Sequence, residues 1–179
     1  MLGRILGVLT LRAKTYREIA QDSGATGQAA ILVIVVALLG GIGGALVIGN
    51  FASSLPFSVA QIGSGLRYAI TTILYTILGW LFTSWVFAYV SRIILKSKTT
   101  TLQMARVFGY TQVFAILEII PYLGSALAFL LSLIGAIIGI REASKFDTGK
   151  AIITAVVGFI AYVVIIAVVN GVFTLIGLK

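Results

Sequence analysis

Residues 107–140 read VFGYTQVFAILEIIPYLGSALAFLLSLIGAIIGI, 34 residues whose one charge is Glu118. As a single helix this block would be about 51 Å long, against a bilayer hydrocarbon core of about 30 Å. Pro121 stands near its middle and Gly124 just after. Proline removes a backbone donor and turns the residue before it away from helix. The block therefore predicts a hairpin: Val107–Ile120, a turn at Pro121-Tyr122-Leu123-Gly124, then Leu123–Ile140. The first arm has only 14 residues. It either crosses the bilayer or dips in and returns, and both arrangements leave Arg106 and Arg141 on one side.

Three further uncharged blocks flank the hairpin: Ala29–Gly49, Tyr68–Ser91 and Ala151–Leu178. Each is long enough to span as a helix. Continuous apolar runs, as opposed to alternating strands, exclude a membrane β-barrel. The expected fold class is all-α, an integral membrane bundle of five transmembrane helices whose third and fourth form a short hairpin. Residues 1–28 are expected to be a basic cytoplasmic leader, and residues 29–179 the membrane domain.

Composition agrees. Of 179 residues, 60% are hydrophobic and 10% charged, and mean hydropathy is +1.14. A soluble domain of this size has too little interior for that apolar surface. There is no Cys and no His, and only five acids. That removes the usual zinc, haem and iron–sulfur ligands and the Ser-His-Asp and Cys-His catalytic sets. No metal or cofactor is expected. An intramembrane Ser–Lys enzyme would need a lysine at depth, and the lysines lie at predicted boundaries or in loops.

The net charge of +8 is first a matter of topology, not of nucleic acid. Arg4, Arg12, Lys14 and Arg17 precede the first span. Arg92, Lys96, Lys98 and Arg106 fall between the second and third, and Arg141, Lys145 and Lys150 between the fourth and fifth. Eleven of 13 cations thus alternate onto one side, leaving Arg67 and Lys179 on the other. The positive-inside rule then puts the N-terminus in the cytoplasm and the C-terminus outside, in the cell membrane.

The leader is not expected to be a secretory signal, since its apolar stretch, Ile5–Leu11, has only seven residues and no small-residue cleavage site follows it. Leu2, Leu6, Leu9, Ala13, Tyr16 and Ala20 recur at helical spacing, which predicts a basic amphipathic helix on the anionic inner leaflet. Asn50–Leu66 is expected as an interfacial loop on the far side.

Four constellations stand out. Gly40 and Gly44, and Gly135 and Gly139, are small-residue pairs four apart. Such pairs let helices pack closely within a subunit or between subunits. Tyr68, Tyr75, Phe82 and Tyr89 repeat every seven residues, with Trp80 and Trp85 beside them. They are expected as a packing stripe, with a partner required for the Trp80 N–H. Glu118, the lone acid between helix boundaries, is a functional candidate by cost alone, and is predicted to pair with Arg67. In Arg141–Lys150 opposite charges are close enough to pair locally, and Asp147 or Thr148 suits the cap of the last helix. Gly149-Lys150 lacks the upstream glycine of a phosphate loop, since position 144 is Ser.

Arg106-Val-Phe-Gly109-Tyr110, the Pro121 hairpin, Gly139-Ile-Arg141-Glu142 and Thr148-Gly149-Lys150-Ala151, in that order, resemble the Yip1 domain family. The resemblance extends over nearly the whole chain. Eukaryotic members are Golgi and endoplasmic-reticulum proteins that associate with small GTPases in vesicle traffic, and carry a long cytoplasmic N-terminal region. With about 28 residues there, this chain looks more like the bacterial and archaeal members. The resemblance implies a non-enzymatic scaffold or membrane-shaping protein whose partners are lipids, other membrane proteins or itself. It extends to a small GTPase, and to a Golgi or endoplasmic-reticulum location, only by analogy with the eukaryotic members. The competing expectation is a small transporter or channel, in which Glu118, Gln112, Asn170 and Thr174 would line one path.

Overall fold

The computed structural model describes the backbone of residues 1–51, 59–120 and 123–175, and the side chains of 1–42, 66–118, 120, 123–165, 167 and 168. Every regular element among them is helical: α1 (Leu2–Leu9), α2 (Ala13–Gln21), α3 (Ala25–Phe51), α4 (Val59–Leu95), α5 (Thr101–Thr111), a 3-10 segment (Gln112–Ile119), α6 (Gly124–Ser144) and α7 (Thr148–Leu175).

Four stretches are long and apolar enough to cross a membrane: Ala25–Ile42, Leu66–Leu95, Gly124–Ser144 and Thr148–Ile165. They match the first, second, fourth and fifth expected spans. The third departs from expectation. Residues 101–119 do not form one helix but α5 followed by eight residues of 3-10 helix, longer than such runs ordinarily are. The start of α5 is fixed by a capping box, in which the Thr100 hydroxyl accepts from the Gln103 amide at 3.2 Å and the Thr100 amide donates to the Gln103 side chain at 2.8 Å. The predicted turn residues Pro121 and Tyr122 lie outside the described residues. On their far side α6 begins against the 3-10 segment, where a Cβ on Gly124 would run into the Leu117 carbonyl.

Two other expectations are corrected. Asn50–Leu66 is not simply a loop: α3 runs through Phe51 and α4 begins at Val59, since residues 59–95 contain no proline to stop the helix from extending beyond the span. The leader is not one amphipathic helix. It breaks at Leu11, which has φ 52°, where the Arg12 amide returns to the Gly7 carbonyl at 2.9 Å. The expected stripe is thereby divided. Tyr16 and Ala20 are buried, together with Val8 and Ile19, whereas Leu2 and Leu6 are exposed.

Among the described residues the core lies where the leader and α5 meet the longer helices. Tyr16, Ile19, Val33, Met104, Val107, Tyr110, Phe114 and Ile140 are fully enclosed there, and the Phe87 and Phe108 rings meet edge-on with centroids 5.1 Å apart. The flanks carry exposed large apolar side chains on α3, α4, α6 and α7, among them Leu39, Leu78, Phe129 and Phe159. A contiguous apolar exterior of this extent suits lipid and not water. The expected packing stripe on α4 belongs to this exterior. Tyr68, Tyr75 and Tyr89 are exposed, while Trp85 stacks on Phe82 at 6.0 Å and on Tyr89 at 5.5 Å. The heptad spacing marked a helix face correctly, but that face turns outward.

Candidate functional site

Hydrogen bonds gather α1, α2 and one end of each longer helix into a single polar layer. At its centre are two arginines, Arg4 and Arg106. Arg4 of α1 donates to Asp22 Oδ2 at 2.6 Å and to Gln28 Oε1 at 3.2 Å. The same Gln28 oxygen accepts from the Tyr110 hydroxyl of α5. Arg106, also on α5, donates from Nε to Thr26 Oγ1 at 2.7 Å and from Nη1 to the Ala20 carbonyl at 3.0 Å. The α2–α3 junction is thus held from both sides. The Ala20 carbonyl, at the end of α2, is one of the acceptors that a helix terminus leaves unsatisfied, and Arg106 satisfies it. Asp22 is held below the usual carboxylate range, first by the Arg4 hydrogen bond and then by the Gly24 amide, which donates to Oδ1 at 2.8 Å.

Glycines explain the closeness of the packing. A Cβ on Gly109 would stand 2.8 Å from the Ala29 Cβ and 3.2 Å from Trp80 Nε1. That indole N–H donates to the Ala105 carbonyl at 2.8 Å, the partner its burial requires. A Cβ on Gly135 would stand 2.7 Å from the Tyr16 hydroxyl, and one on Gly139 would strike Val107 beside the Tyr16 ring. The α6 pair therefore packs within the subunit, against the leader. Gly40 of α3 differs, since a Cβ there meets nothing within 4 Å. The packing of Gly44 lies outside the described residues.

The second half of the layer surrounds Glu142, a carboxylate with 6% side-chain exposure near the end of α6. It accepts from Arg17 Nε at 2.7 Å and lies 2.9 Å from Arg141 Nη2. A carboxylate so enclosed is tolerated only when paired, and here it has two cations. Helix α6 then stops at Lys145, in the left-handed region at φ 55°, with the Phe146 amide returning to the Arg141 carbonyl at 3.0 Å. Glycine is the usual occupant of such a stop. Asp147 caps α7, accepting from the Lys150 amide at 2.9 Å, and lies 3.7 Å from the Lys150 ammonium. That amide bond is the main reason its carboxyl is held low. The turn is tied to the α4–α5 connection by Thr99, which donates to Ser144 Oγ at 2.9 Å. Arg17, Gln21, Arg141, Glu142, Lys145 and Phe146 line an open recess of about 420 Å³.

Of the residues singled out in sequence, Arg106, Gly109, Tyr110, Arg141, Glu142, Thr148, Gly149 and Lys150 all fall in this layer, and Arg141 reaches Thr148 Oγ1 at 3.4 Å. Pro121 is outside the described residues. Glu118 and Arg67 are exposed and form no ion pair among the described salt bridges. The 3-10 segment carrying Glu118 packs chiefly on α6 and α3, whereas Arg67 is on α4. Gln112 is half-buried, and the Asn170 and Thr174 side chains lie outside the described residues. Sequence reasoning missed Asp22, Thr26 and Gln28, which have no pattern of their own, and the Arg17–Glu142 pair, separated by 125 positions. Among the described residues no His, Cys, Asp or Glu group has the makings of a metal site.

The model of the Yip1 domain family matches residues 6–170. Comparison with curated proteins and with solved structures gave no significant match.

Proposed function

The chain belongs to the Yip1 domain family, a multi-pass membrane protein, and from that premise we propose that it is a non-enzymatic membrane scaffold. In this reading it organises neighbouring membrane proteins, or copies of itself, through helix–helix and lipid contacts. One observation carries the reading. Among the described residues the long-range side-chain hydrogen bonds form a cationic layer at one end, where Arg4, Arg106 and Arg17 clasp the leader to the bundle. The apolar helices that leave it are loosely enclosed by one another.

We place the layer on the cytoplasmic side of the cell membrane. Eleven of 13 cations belong to the elements that meet there, and Arg67 on α4 is 25 residues before Arg92, about 37 Å along the helix. Helix α1 then lies along the anionic inner leaflet. Leu2 and Leu6 are 77% and 64% exposed, on the helix that Arg4 anchors to Asp22. For the crossings, α5 and the 3-10 segment together extend about 32 Å, the same as α6. That equality favours five crossings, with the third and fourth as a hairpin and the C-terminus outside. Gly40 of α3, open where Gly135 and Gly139 are filled, is with Gly79 of α4 a small residue left for contact with a second helix.

The test is association in mild detergent and in the native membrane by crosslinking. The reading expects a reproducible membrane partner or a self-associated form, weakened by Gly40→Ile. A monodisperse, partnerless monomer in both settings contradicts it.

A further inference from the structure

The recess beside Glu142 has features that a structural ion pair does not need. One carboxylate faces three cations, Arg17, Arg141 and Lys145, so the lining carries a net charge of +2. Arg17 gives Glu142 only its Nε, and its side chain is 62% exposed. Its two terminal nitrogens form no hydrogen bond among the described residues, and a guanidinium presents its donors in a planar fork that suits an oxyanion. Lys145 occupies a left-handed backbone position that glycine would fill without strain. Lys145 lines the recess from that position at a conformational cost, and strained backbone is found preferentially where a side chain acts on a ligand. Gln21 adds an amide donor and Phe146 an apolar wall.

We infer that the recess between α2 and the α6–α7 turn binds a phosphate oxyanion, held by the terminal guanidinium nitrogens of Arg17 and by the Lys145 ammonium, with Glu142 orienting Arg17 and Arg141. The cations at this end of the bundle make the headgroup of an anionic lipid one source, and a free phosphate the other. The choice of the lipid source rests on the proposed membrane sidedness, whereas the oxyanion site itself does not.

The experiment uses the full chain in neutral detergent. Retention of phosphatidylglycerol against phosphatidylcholine is read by native mass spectrometry, and inorganic phosphate by the rise in Tm that binding to the folded state produces. Arg17→Gln leaves Glu142 its Arg141 partner, and Lys145→Gly relieves the backbone, so both variants fold. Each is expected to weaken binding about tenfold, the loss of one charge-assisted contact. Lys98→Gln, an exposed charge at the same end, is expected to leave it unchanged. Selective retention of phosphatidylglycerol assigns the lipid source, and a phosphate-dependent Tm rise alone assigns the free anion. Absence of both effects, or equal weakening by Lys98→Gln, overturns the site while leaving the scaffold reading to its own crosslinking test.

Discussion

The Tyr16 hydroxyl stands 2.7 Å from where a Cβ on Gly135 would be, so the leader seats its one buried aromatic in a notch that α6 provides only by lacking a side chain. Burial pushes the Tyr16 phenol well above its ordinary value, so it remains neutral there. The contact joins residues 119 positions apart and makes residues 1–28 part of the folded unit, not an appendage.

Gly135→Ala is therefore expected to destabilise the protein by about 1–3 kcal/mol, as overpacking does. Tyr16→Ala should cost about 3–5 kcal/mol through the cavity it leaves. In the double variant the alanine at 135 has room, so the two effects should be clearly less than additive. Thermal unfolding of the four proteins in one detergent measures the coupling, and strict additivity would place Tyr16 elsewhere.

Glu142 has two cationic partners, and that redundancy has a signature. Arg17→Ala alone should cost about 1 kcal/mol or less, since its side chain is largely exposed. Removing Arg17 and Arg141 together leaves a buried carboxylate unpaired, at a cost of about 3–5 kcal/mol. Denaturation of the single and double variants reads this directly, and a double variant no worse than the sum of two mild singles would count against the enclosure of Glu142.

Acid should loosen the leader. Asp22 is depressed below 3.8 mainly by the Arg4 hydrogen bond. Its contribution is fully present above the unfolded value of 3.8 and is lost as pH falls through the lower folded value. Proteolysis within residues 1–24 should therefore rise in that acid window in the wild type. Asp22→Asn should show the higher susceptibility already at neutral pH, and an unchanged acid profile in that variant would contradict the assignment.

Trp80→Phe retains the ring and removes only the N–H that reaches the Ala105 carbonyl at 2.8 Å. A loss of about 1–2 kcal/mol is expected. Glu118→Gln, at an exposed side chain with no described ion pair, should stay within about 0.5 kcal/mol of wild type. The contrast between these two sites, measured by thermal unfolding, separates a structural polar group from a solvated one.

Four of the five expected spans, the Trp80 requirement and the cap at Asp147 or Thr148 were legible in sequence because each is local. Hydropathy, a proline or an N-cap residue acts within one turn or one span. The pairing of Arg17 with Glu142, and of Gln28 with Arg4 and Tyr110, was not legible, because it depends on helix ends brought together from distant parts of the chain. Nor could the inward faces be read. The spans are apolar on all sides, since lipid accepts what a core accepts, so the Tyr75 and Tyr89 face looked like packing and turned out to be exterior. The break at Leu11 was hidden by a helical spacing that two shorter helices satisfy equally well.

The central claim is that the layer built on Arg4, Arg17 and Arg106 faces the cytoplasm. The chain has no native cysteine, so single cysteines report without background. Lys98→Cys, Lys145→Cys and Arg67→Cys would be challenged in intact cells with a membrane-impermeant thiol reagent, before and after permeabilisation. The account predicts that Arg67→Cys is labelled from outside and that Lys98→Cys and Lys145→Cys are labelled only after permeabilisation; labelling of the latter two in intact cells would contradict it.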